Sequence, residues 1–142
     1  MIVLDTNVLS EAVKPDPSAK VLNWIALEPR SSLFTTAITQ AELLYGMELM
    51  PLGRRRSTLQ AAIARVFAEV LAERILPFDS GAAEAYSRIA ASRRAMGRPI
   101  SEADARIAAI ALSRGARLAT RNARDFEHCG IKVVNPWGPP LT

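Results

Sequence analysis

The sequence predicts an α/β layered fold with a parallel sheet, and three observations carry that reading. Short apolar runs of strand length alternate with segments of helical periodicity along the whole chain. Its 142 residues are 49% hydrophobic and 23% charged, the range of one core and therefore of one domain over 1–142. No Gly/Ser-rich linker, repeat or low-complexity segment divides them.

Ile2-Val3-Leu4 is a β-prone run that ends at Asp5, so a buried strand opens the chain. A helix from about Thr6 to Val13 follows, and Lys14-Pro15-Asp16-Pro17 breaks it. Val21, Leu22, Trp24, Ile25 and Leu27 recur at helical spacing before Pro29, and Leu33 to Thr36 reads as the second strand. The next helix is expected from Thr39 to Met50. Pro51 and Gly53 separate it from a long helical stretch, Arg54 to Arg74, with apolar positions at Leu59, Ile63, Val66, Phe67, Val70 and Leu71. Ile75 to Phe78 is a third strand. Two more helices run from Ser80 to Met96, ended by Gly97 and Pro99, and from Ser101 to Arg114, ended by Gly115. Arg117 to Thr120 and Ile131 to Val134 complete the strands.

Composition removes several function classes. The longest uninterrupted apolar run, Ile107 to Leu112, is far shorter than the roughly 18 residues of a membrane span, and Asp5 interrupts any signal peptide at once. A cytoplasmic protein is expected. One cysteine, Cys129, and one histidine, His128, exclude a disulfide framework, a cysteine-rich zinc site and chemistry needing two imidazoles. The seven glycines form neither a GxGxxG nor a P-loop. Carboxylates remain as the source of acid, base and ligand. The net charge of +4 rests on 18 basic residues, 15 of them arginine, which suits a phosphate-bearing partner but equally reflects base composition.

Three acids stand out. At about 100° per residue, Asp104 shares a helix stripe with Ile107, Ala108 and Ala111, opposite Glu102, Arg106 and Ser113. The same construction sets Glu42 among Ile38, Ala41, Tyr45 and Leu49. Asp5 ends the opening strand, where open α/β sheets bind ligands. Each also fits a cap: Ser101 with Asp104 and Thr39 with Glu42 as capping boxes, Asp5 before its own helix. The two readings are compatible, because a helix N-terminus favours the ionised carboxylate that a ligand must be. Two carboxylates about 4 Å apart repel by about 4 kcal/mol at an effective dielectric near 20, so a converging trio needs a cation or must take up protons. All-oxygen donors select Mg²⁺ or Mn²⁺, which activate water and stabilise charge on phosphoryl oxygens, the chemistry of nucleases.

A fourth segment, Leu118 to Phe126, ends a strand at Thr120 and delivers Asn122 and Asp125 to the same edge. Asp125 is either an outer carboxylate or part of an asparagine-capped turn, with Thr120 and Asn122 bonding a ligand shell. Arg54-Arg55-Arg56, the group Arg93, Arg94 and Arg98, and the pair Arg121 and Arg124 are either solvated surface or phosphate contacts; Arg121 and Arg124 are tied to the acidic edge. Pro15 to Trp24 and the helix from Arg54 offer a groove for a partner helix. Trp24 is expected to pack in the core, and Trp137, in the tail Asn135 to Leu141, on the domain or a dimer mate.

Four blocks carry a resemblance: Ile2-Val3-Leu4-Asp5-Thr6-Asn7-Val8-Leu9-Ser10, Ile38 to Gly46, Asp104 to Ala111, and Ala119 to Phe126. In this order and spacing they resemble the PIN domain family, in particular the VapC and FitB-like ribonuclease toxins of type II toxin–antitoxin pairs. The resemblance implies a three-layer α/β/α fold with a small, mostly parallel central sheet. It further implies an endoribonuclease dependent on Mg²⁺ or Mn²⁺, a homodimer, and inhibition by a cognate antitoxin. By position, Asp5, Glu42 and Asp104 match the family's three acids and would hold the metal. Asp125 or Asn122 fills the fourth place, with Thr6, Asn7 and Thr120 in support and Arg121 and Arg124 on RNA. Hydrolysis leaving a 5′-phosphate and a 3′-hydroxyl is expected, since no cyclising base is present. The competing reading is a silent PIN-like binding module whose acidic pocket docks a basic antitoxin segment. An aspartyl phosphotransferase would place a second acid where Asn7 stands.

Overall fold

The computed structural model describes residues 1–139. Its strands are β1 (Ile2–Leu4), β2 (Leu33–Thr36), β3 (Ile75–Leu76), β4 (Arg117–Ala119) and β5 (Val133–Val134). The helices are α1 (Thr6–Val13), α2 (Ala19–Leu27), α3 (Ala37–Glu48), α4 (Arg54–Arg65), α5 (Ser80–Ala95) and α6 (Glu102–Ser113). The strands form one sheet in the order β3-β2-β1-β4-β5 with every pairing parallel, so the first strand of the chain lies at its centre.

Alternation along β1 divides the interior in two. Ile2 and Leu4 point into a cluster with Val8, Leu9, Leu43 and Ile63 from α1, α3 and α4. Val3 points the other way, among Ile89, Ile107, Ala108 and Ile110 from α5 and α6. These two cores make the three-layer α/β/α arrangement. Because strand order reverses direction at β1, the loops leaving β1 and β4 open a crevice at the carboxyl edge of the sheet.

Two helices depart from the sequence reading. α3 begins at Ala37 because Thr36, not Thr39, is its cap: the Thr39 amide donates to Thr36 Oγ1 at 3.0 Å, and Thr39 itself is buried. The stretch expected to be helical to Arg74 leaves α-geometry after Arg65. One π-helical turn, Val66–Val70, closes with the Leu71 amide on the Val66 carbonyl at 2.8 Å and sets Leu71 fully into the core. Arg74 then crosses back to the carbonyls of Leu33 and Val70, fixing the turn against β2. β3 stops at Leu76, before Pro77, and Phe78 is partly exposed against Tyr86. No helix among the described residues is long and apolar enough to cross a membrane.

Candidate active site

Asp5 follows β1 directly, and its buried carboxylate is fixed at both oxygens. Oδ1 accepts the Thr6 amide at 2.8 Å, capping α1, and Oδ2 accepts the Thr120 hydroxyl at 2.7 Å from the end of β4. Thr120 Oγ1 in turn accepts from Asn7 Nδ2 at 3.2 Å and from the Asn122 amide at 3.1 Å, and Asn7 Oδ1 accepts the Arg121 amide at 3.2 Å. Thr6, Asn7 and Thr120 therefore lock the ends of the two central strands together. Burial dominates the ionisation of Asp5 and pushes its pKa up to about 6; the bonds from Thr120 and Thr6 oppose the rise, while Asp104 and Glu42 add to it.

Asp104 sits in the first turn of α6. Ser101 caps that helix, its hydroxyl accepting the Asp104 amide at 3.2 Å, so the cap and the acid share one turn as the sequence allows. Asp104 is half-buried, and Ile107, Ala108 and Ala111 of its stripe are fully buried. Its pKa is also raised, by burial first and then by Asp125 and Glu42, against the lowering effects of Ser101 and Arg93.

Glu42 reaches the same centre by a different route from the one expected. It is exposed, and its stripe of Tyr45 and Leu49 faces solvent; the core face of α3 is Thr39, Leu43 and Met47. Burial therefore does not explain this glutamate. Its tie is Thr6, whose Oγ1 donates to Glu42 Oε1 at 2.8 Å and lies 3.0 Å from Thr39 Oγ1. Thr39 is a contributor that the sequence reading took for a cap. Of the two alternatives for the fourth segment, the asparagine-capped turn is not formed: a 3-10 turn, Ala123–Phe126, follows Asn122, whose side chain does not cap it, and Asp125 is exposed. Arg121 and Arg124 are exposed as well, and Arg121 lies over the Trp137 ring at 5.0 Å. Trp137 and Trp24 are half-buried against the core. The tail expected to Leu141 runs past the described residues.

Residues 2–132 match the PIN domain family. The chain belongs to that family. The VapC ribonuclease Y4jK of Sinorhizobium fredii is 42% identical over 98% of this PIN domain and 99% of its own length. The plasmid stability protein StbB of Pseudomonas syringae pv. tomato is 43% identical over 96% and 99%. Among solved structures, FitAB bound to an IR36 DNA fragment superposes with a TM-score of 0.92 at 34% identity, covering 99% of each chain. The all-parallel sheet between two helical layers is thus the PIN fold, and the likeness to VapC and FitB-like toxins extends over almost the whole chain.

Asp104 and Glu42 repel the charge of Asp5, and Asp125 and Glu42 that of Asp104, so the acids neighbour one another at this edge of the PIN domain. Among the described residues, however, no three Asp, Glu, His or Cys side chains approach closely enough to hold a metal ion by themselves. The donor set is all oxygen and carries excess negative charge, which fits a hard cation of the Mg²⁺ type bound by one or two carboxylates with water completing its shell.

A groove of about 600 Å³ runs away from this centre between α1, α3 and α4. Glu42 and Thr6 form one end, Leu43, Met47, Leu59 and Ile63 its floor, and Lys14, Arg54 and Arg55 its rim. Trp24 is not part of it and instead borders a separate cavity beside β5. Arg56 is committed to Glu48 at 2.9 Å, and Arg93, expected with a surface cluster, is buried.

Proposed function

We propose that this PIN domain is a metal-dependent endoribonuclease, the toxin of a type II toxin–antitoxin pair acting in the cytoplasm. The observation that carries the reading is Asp5: a buried carboxylate held by two hydrogen bonds beside further acids, whose charge a cation would relieve. Asp5 and Asp104, with Glu42 directly or through water, would hold Mg²⁺ or Mn²⁺. Such an ion supplies an activated water and neutralises phosphoryl charge.

The chain's own groups supply the rest. Thr120 and the Thr6 amide orient Asp5 and favour its ionised form against burial, and Thr6 aims Glu42. Glu42 or Asp125 orients the nucleophile for in-line attack, and Arg121 and Arg124 hold backbone phosphates. Hydrolysis leaves a 5′-phosphate and a 3′-hydroxyl. The apolar groove with its basic rim receives the antitoxin as an amphipathic helix, ending at the acids, where a basic side chain would block the site. The exposed apolar side chains Tyr45 and Leu49, at the end of α3, and Leu52 just beyond it join two copies in a homodimer.

The test is incubation of purified protein with RNA, with Mg²⁺ or with chelator, beside an Asp5→Asn variant. Cleavage that requires the cation and Asp5, with 5′-phosphate ends, is expected. A folded wild-type protein that binds antitoxin yet leaves RNA intact with both cations would instead make the chain a silent binding module.

A further inference from the structure

Arg93 is the one arginine of α5 that is withdrawn from solvent, at 6% exposure. Its guanidinium donates to four acceptors: Nε to the Arg98 carbonyl at 2.7 Å, and Nη1 to the carbonyls of Asp125 at 2.9 Å and Glu127 at 3.0 Å and to Cys129 Sγ at 3.6 Å. No carboxylate among the described residues pairs with it. Burying an unpaired guanidinium is costly, and an apolar side chain of similar length would fill the space more cheaply. A planar fork is needed only if the segments it bridges must be held in fixed relation. Those segments are the end of α5 and the 3-10 turn with its continuation to Cys129. Arg98 and Glu127 pair at 3.5 Å across the same seam.

We infer that Arg93 is a positioning residue for the acid cluster: its fork pins the backbone of Asp125 and Glu127 to α5 and so fixes where Asp125 stands relative to Asp104. The catalytic part of this inference rests on the nuclease reading; the pinning does not.

Arg93→Lys keeps a charge but cannot span the carbonyls, and Arg93→Met keeps neither; if the methionine variant does not fold, the lysine variant carries the test. Two readouts are taken on the folded protein. Amide exchange at Asp125 and Glu127, bonded to the carbonyls of Asn122 and Arg124, should quicken about tenfold or more, with Ile107 to Ala111 unchanged. RNA cleavage should lose kcat with KM preserved, and Arg93→Lys added to Asp125→Asn should cost nothing beyond Asp125→Asn alone. Unchanged exchange overturns the pinning. Multiplicative losses in the double variant, or an Asp125→Asn variant of full rate, overturn the positioning role. If the wild-type protein cleaves no RNA, the nuclease reading falls and exchange alone decides the pinning.

Discussion

Asp5→Asn should reverse the order of stability between acid and alkaline pH when divalent cations are chelated. The wild-type carboxyl ionises near 3.8 in the unfolded chain and at about 6 in the folded one. The folded state therefore binds more protons in that interval, so the contribution of Asp5 is fully present below pH 4 and is lost as pH rises through about 6. At about 1.4 kcal/mol per pH unit the loss amounts to about 3 kcal/mol. Asparagine removes this term but brings its own cost. Its oxygen can still accept the Thr6 amide, yet its NH₂ would face Thr120 Oγ1, which already receives Asn7 and the Asn122 amide, and the Thr120 proton loses its acceptor. That costs about 1 kcal/mol at every pH. The variant should thus be about 1 kcal/mol less stable than wild type at pH 4 and about 2 kcal/mol more stable at pH 8. Urea unfolding of both proteins in chelator at half-unit pH steps gives the two curves. Parallel curves, with the variant weaker throughout, would refute the account of Asp5 as a carboxylate under strain from burial.

Two further outcomes follow from the packing. Leu71→Ala removes a fully buried side chain that the π-turn delivers to the core, and should cost about 2–5 kcal/mol in urea unfolding; a cost under about 1 kcal/mol would show that the turn is not anchored there. Tyr45→Asp combined with Leu49→Asp, at positions 66% and 67% exposed, should abolish self-association in sedimentation while the circular dichroism of the folded chain is kept, and an unchanged dimer would place the interface elsewhere.

The sequence anticipated elements wherever a local signal and the packing agree. Asp5 ends an apolar strand and caps the next helix, so the boundaries of β1 and α1 follow from the residues themselves. Ser101 and the stripe through Asp104 fix α6 in the same way. Ambiguity arises where two positions offer the same chemistry. Thr36 and Thr39 are both competent caps, and only the packing of Thr39 against Thr6 separates them. α3 is apolar on two faces, so periodicity alone cannot say that Leu43 and Met47, rather than Tyr45 and Leu49, meet the core. The π-turn hides for a related reason: Val66, Phe67, Val70 and Leu71 keep helical spacing, and the register shift is imposed by the core. Arg93 reads as surface because three of its four acceptors are backbone carbonyls, two of them more than 30 residues away, which carry no sequence signature.

The central place of β1 bears on when the site can exist at all. β1 is completed on one side by β2 but on the other only by β4, and Asp5 finds its threonine partner 115 residues later in the chain. A nascent chain still lacking β4 leaves a sheet edge open and Asp5 without its anchor. Synthesis must therefore reach β4, and β4 must clear the ribosome, before the carboxylates can converge. Truncated products and stalled chains have the acids but not their arrangement. In a protein whose finished form would cut RNA, the topology postpones that capacity until β4 has joined the sheet.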